Sequence, residues 1–220
     1  MAAPVDQLVQ ALDATEALIA AVGNDQWANP TPCPEWDVRT LVNHLVFGNR
    51  IFAAILRNEP ASELENLRRL HDIDQLGDNP VEAYREAGAA LQAAFSQPGV
   101  LERVFQAPIG PAPGAVMLHL RITELLVHGW DLAHATGQPA RLPDDVAEEE
   151  LAFASGQRAP DVPRTGHPVG PSAAAARSRI GPDPIPHGVP DDTGRRKSVS
   201  KESQFEWHTV PLPPGIPCEA

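Results

Sequence analysis

The sequence predicts an all-α fold: an antiparallel four-helix bundle with a short extra helix and a proline-rich, disordered C-terminal tail. Three observations carry this. Apolar residues recur at three- and four-residue steps over four long stretches before Gly156. No strand-like alternation of useful length appears in that part. After Gly156 the periodicity stops, and half of the chain's 24 prolines gather between Pro160 and Pro217.

The first helix covers about 5–22, where Val5, Leu8, Val9, Leu12, Ile19 and Val22 form one apolar stripe. The second follows the string TPCPEW; Asp37 is a suitable N-cap, and Leu41, His44, Phe47, Ile51 and Ile55 recur at helical steps. A third begins at Asn79-Pro80, with Asn79 as cap, Pro80 in the first turn and Glu82 completing a capping box. Its apolar face is Val81, Tyr84, Leu91 and Phe95. The fourth runs from about Gly114 to Thr136 and stops at Gly137, the usual place for a left-handed cap. A fifth, about 144–155, opens with Asp144 and Asp145, whose charges suit a positive helix N-terminus. These elements place the bundle in 1–157. The segment 158–220 reads as a disordered tail, because prolines without donors exclude a helix or central strand there.

Composition narrows the function. Of the 220 residues 42% are apolar, yet no run approaches the ~18 apolar residues of a membrane span. The opening MAAPVDQ has no basic side chain ahead of an apolar stretch, so no secretory signal is read and a cytoplasmic protein is expected. A net charge of −12 repels phosphate backbones and argues against nucleic-acid binding; Arg195-Arg196-Lys197 is the only dense basic run. Cys33 and Cys218 are far apart and form no CxxC, which argues against a disulfide framework and a thiolate zinc cage. Cys33, between prolines, reads as a small apolar filler of a loop.

The chemical signal lies in the fourth helix, in MLHLRITELLVHGWDLAHATG. At about 100° per residue, Glu124, His128 and Asp131 fall within roughly 60° of one another. Met117, Leu120 and Val127 lie on or beside that face, so a carboxylate stands where the helix points inward. A buried carboxylate must be paired, protonated or bound to a metal. On the second helix His44 likewise shares a face with Leu41, Phe47, Gly48, Ile51 and Ile55. If the two faces meet, Glu124, His128 and His44 make a three-ligand site with an open position. Against this, a lone inward histidine is more often a hydrogen-bonded core residue, and Arg121 can pair with Glu124 as a helix-surface salt bridge. The set His128, Asp131 and His134 spreads over a third of the helix circumference, and His119 is about 140° from Glu124. His71, His167, His187 and His208 lie in polar or proline-rich contexts and read as solvated.

PTPCPEWDVRTLVNHLVFGNRIFA, followed by LRITELLVHGWDLAHATG, resembles the actinobacterial metal-binding proteins related to mycothiol-dependent maleylpyruvate isomerase, within the DinB-like helical bundles. The similarity covers roughly residues 5–168, including GDNPVEAYREAGAALQAAF and the RTGHP string at 164–168. It implies that His44, Glu124 and His128 bind one divalent metal, zinc by precedent, with nickel as an alternative. Asp131 fits as a carboxylate that orients an imidazole or a bound water. The resemblance further implies a mycothiol cosubstrate and an electrophilic small-molecule substrate, handled by a monomer or homodimer. A coordinated thiol loses its proton well below its free pKa of about 8.5. Gly48 leaves room beside the metal or permits close helix packing. The isomerase itself has a second domain that helps form its active site, and nothing in 158–220 reads as one, which argues against maleylpyruvate as the substrate.

The shorter relatives also end with a helix after RTGHP. Here the Ala/Arg/Pro/Gly wording of 173–197 is what a GC-rich gene gives in a shifted frame. A frameshift origin is therefore expected, and a resequenced gene with no homologous ending in the next frame would contradict it. The leading expectation is a mycothiol-dependent transferase or isomerase. The alternatives are a non-catalytic metal-binding or regulatory module, and a plain bundle in which Glu124 pairs with Arg121.

Overall fold

Turn chemistry and apolar spacing divide the chain into α1 (Pro4–Ala20), α2 (Val38–Leu56), α3 (Ala61–Arg69), α4 (Pro80–Phe95), β1 (Val104–Ala107), β2 (Gly110–Pro113), α5 (Gly114–Thr136) and α6 (Asp144–Ala154). This computed structural model describes residues 4–71, 73–107 and 110–156. The expected tail, with its frameshift reading, lies outside the described residues.

Each of the four long helices packs on two others. α1 and α2 both lie against α4 and α5, so α1 and α2 face each other across a four-helix ring. The ring encloses Leu8, Leu41, Leu45, Leu56, Leu91, Met117, Ile122 and Leu125, all fully buried. α2 is the most enclosed of the helices, because its polar residues are few; Arg39, Asn43 and Arg50 mark its outer side. Its start is set by Asp37, whose carboxylate accepts from the backbone N–H of Thr40 at 2.8 Å. Asn79 caps α4 in the same way through Glu82, with Pro80 in the first turn. α5 ends at Gly137, which takes φ = 69°, the left-handed conformation expected there.

The helical expectations stand, and two elements are additional. α3 was not visible in the pattern because none of its residues is buried, so ASELENLRR carries no apolar stripe. β1 and β2 form a hairpin of only four residues each, with Val104 opposite Pro113 and Ala107 opposite Gly110. Strands this short, one containing two prolines, leave no alternation to detect; only Phe105 and Ala112 are buried. Among the described residues no helix is long and apolar enough to cross a membrane.

Two connections shape the site. The α1–α2 loop is fastened to the end of α5: Gln26 Nε2 donates to Thr136 O at 2.9 Å and Asn29 Nδ2 to Ala135 O at 3.1 Å. Within it, Thr31 N–H and hydroxyl both donate to Trp36 O, closing TPCPEW into a tight turn with Glu35 at φ = 69°. Beyond α3, Asn43 Nδ2 donates to His71 O and Ile73 O, and its Oδ1 accepts from Gln75 N–H at 2.7 Å. One side chain on α2 thus holds the 71–75 segment over the helix.

Asp37→Ala removes the cap bond of the helix that carries His44. It is expected to lower stability by about 1 kcal/mol, measured as a shift in urea midpoint; an unchanged midpoint would show that the cap contributes nothing.

Candidate metal centre

α2 and α5 bring His44 and His128 together. Their ring centroids are 5.2 Å apart with the planes nearly perpendicular. Trp36, delivered by the TPCPEW turn, packs on both, at 4.8 Å from His44 and 5.9 Å from His128. His128 is fully buried and His44 is 9% exposed. Among the described residues, neither ring nitrogen of His44, nor Nε2 of His128, has a hydrogen-bond partner. An unsatisfied buried polar group costs about 1–3 kcal/mol, so three such nitrogens at one spot require an explanation.

The other nitrogen of His128 is fixed. Nδ1 lies 3.0 Å from Asp131 Oδ2, and Asp131 is itself buried. A carboxylate at that distance holds the proton on Nδ1 and leaves the Nε2 lone pair free. Cys33 Sγ lies 3.5 Å from the same Oδ2 and 3.9 Å from Nδ1. Cys33, His128 and Asp131 therefore form a buried group whose ligand atoms all lie within 4.8 Å, and among the described residues it is the group of three that meets that limit. Cys33 is disulfide-bonded in the structure, contrary to the expectation drawn from the cysteine spacing.

Glu124 is held by a neighbour on its own helix. Its Oε2 accepts from Nη1 of Arg121, and its side chain is 13% exposed. The pair expected on the helix surface does form, but Arg121 is wholly buried. Its Nε donates to Asn49 Oδ1 at 2.9 Å and its Nη2 to Leu45 O at 2.8 Å, so the guanidinium ties α5 to α2. Gly48 makes room for it. A Cβ there would lie 2.8 Å from Arg121 Cζ and closer still to Nη1. The space expected beside a metal is thus taken by the arginine.

A cavity of about 350 Å³ opens beside His44, lined by Trp36, Thr40, Asn43, His71 and the pair Arg39–Asp74, which meet at 2.6 Å. His71, expected to be solvated, instead sets its ring edge-on to His44 at 6.2 Å and to Phe47 at 4.9 Å. Its neighbours in sequence gave no sign of this, since the contact depends on Asn43 holding the segment. The remaining histidines of α5 take no part: His134 is exposed and stacks on Trp130, while His119 pairs with Glu150 at 2.9 Å and anchors α6. Burial raises the Glu150 carboxyl above its usual range, opposed by His119 and Thr123.

A family model described as the mycothiol maleylpyruvate isomerase N-terminal domain matches residues 8–133. The chain belongs to that family. Two uncharacterized proteins of Mycobacterium tuberculosis, from strains CDC 1551 / Oshkosh and ATCC 25618 / H37Rv, are 36% identical over 170 residues, covering 77% of this chain and 87% of theirs. Among solved structures, a mycothiol-dependent maleylpyruvate isomerase superposes with a TM-score of 0.54 at 16% identity, covering 70% of this chain and 69% of that one. A mutant of that isomerase gives 0.52 at 14% identity. At these identities the likeness is one of fold. The stretch matched to the isomerase N-terminal domain family contains His44, Glu124, His128 and Asp131.

Burial, helped by His128, Arg121 and His71, lowers the His44 pKa to about 2 from an ordinary 6.5. The unfolded chain therefore binds a proton that the fold refuses between those values, and stability falls as pH drops below 6.5. Without metal, the parent is expected to lose about 1.4 kcal/mol per pH unit more than His44→Gln between pH 6 and 5, by chemical denaturation. Parallel pH profiles would contradict this placement of His44. Because Glu150 acts in the opposite direction, only the difference between the two proteins reports on His44.

Proposed function

We propose that this chain is a divalent-metal-binding protein acting in the cytoplasm as a mycothiol-dependent transferase or isomerase, with His44, Glu124 and His128 as the protein ligands. The observation that carries this is the adjacent pair of buried imidazoles with three ring nitrogens that have no hydrogen-bond partner among the described residues. Such nitrogens are satisfied by a cation, and two neutral imidazoles with one carboxylate suit zinc, or nickel in its place. Glu124 sits one helical turn before His128 and supplies the anionic member. Asp131 holds His128 in the tautomer that a ligand needs.

When bound, a divalent cation lowers the pKa of a thiol set against it. The chain provides the rest. Trp36 walls off one side of the two histidines, and the cavity beside His44 gives a small thiol and its electrophile access to them. The membership in a family described by mycothiol and maleylpyruvate supports a low-molecular-weight thiol as cosubstrate.

A second seat for the metal has its own support in the clustering of Cys33, His128 and Asp131. It would use Nδ1 of His128 rather than Nε2, and it needs Cys33 reduced. The two seats separate cleanly by mutation. Metal content by plasma mass spectrometry on untagged protein is expected near one equivalent in the parent, lost in His44→Ala and kept in Cys33→Ser. The opposite pattern would move the metal to the cysteine side. No metal in the parent after reconstitution would overturn the proposal. Turnover of an electrophile that depends on added thiol and on metal then decides between an enzyme and a binding module.

A further inference from the structure

Arg121 has no exposure to water, yet guanidinium is charged at every accessible pH. Burying such a group is costly unless each donor is met. Here three donor nitrogens have distinct partners: Nε on Asn49, Nη2 on Leu45 O, and Nη1 on Glu124 Oε2. Two of those partners belong to α2, one residue and five residues beyond His44. The third is the expected metal carboxylate. The fork therefore fixes the position of Glu124 relative to the helix that carries His44.

The bonding is one-sided. Arg121 uses only Oε2 of Glu124, as Asp131 uses only Nδ1 of His128. In each case the group on α5 is gripped through one atom while its other donor atom, Oε1 or Nε2, takes no part in the grip. Gly48 completes the arrangement, since any side chain there would displace the guanidinium.

We propose that Arg121 is a positioning residue that orients Glu124 for the metal, and that Gly48 is glycine because it seats Arg121. This rests on the metal reading above. It assigns no contact between Arg121 and the metal, and it makes a distinctive demand: a substitution at Gly48, which is no ligand, must weaken metal binding, and must do so through Arg121.

The test is a cobalt(II) titration of the metal-free full chain, following the visible d–d absorption, for the parent, Arg121→Met, Gly48→Ala and the double variant. Circular dichroism monitors the fold. Gly48→Ala keeps every charged group and favours helix, so it carries the test where removal of the buried arginine harms folding. Each single substitution is expected to raise the cobalt Kd by about 10-fold or more and to shift the d–d band. The double variant should bind no worse than Arg121→Met, because the two changes act on one element. Single variants that bind cobalt with the parent's affinity and spectrum would overturn the role of Arg121 while leaving the metal site standing. Additive losses would overturn the link from Gly48 to Arg121. A parent that binds no cobalt would overturn the metal reading itself.

Discussion

A permanently charged guanidinium in the middle of a helical bundle constrains everything around it. Arg121 must find a partner for each of its three nitrogens without help from water, and it finds them in Asn49, the carbonyl of Leu45 and Glu124. That requirement fixes the approach of α5 to α2 and forbids a side chain at Gly48. It also decides where a carboxylate stands. The two helices so locked are those that carry His44 and His128, whose rings meet 5.2 Å apart. The fold's most demanding polar contact and its candidate metal ligands thus share one interface.

The balance of charge at that interface is informative. Arg121 pairs with Glu124, and further along α5 Asp131 grips His128. The imidazoles of His44 and His128 complete the set, and the burial that drives the His44 pKa down keeps the His44 ring neutral over the whole physiological range. Neutral imidazole is the form that binds metal. The same burial that costs stability on acidification therefore keeps a ligand ready.

Much of this was legible in the sequence. The inward spacing of His44, Glu124 and His128 marks polar atoms where apolar ones are expected, and the structure brings the two histidines together. Capping residues Asp37, Asn79 and Gly137 set helix ends correctly, because their effect is local. What escaped was tertiary. Arg121 lies three residues before Glu124, a spacing that looks like a surface pair; only the glycine on a different helix reveals its burial. His71 and Trp36 enter the site through loop hydrogen bonds that no periodicity encodes. α3 and the β1–β2 hairpin bury too little to leave a pattern.

In the proposed site one metal sits on the Nε2 side of His128, shared with His44. The most direct measurement is crystallographic: anomalous diffraction above and below the zinc absorption edge from crystals of the zinc-loaded full chain. A single anomalous peak is expected between His44 and His128, on the side away from Asp131. A peak on the Cys33–Asp131 side of His128, or none at either nitrogen in zinc-loaded protein, would contradict it.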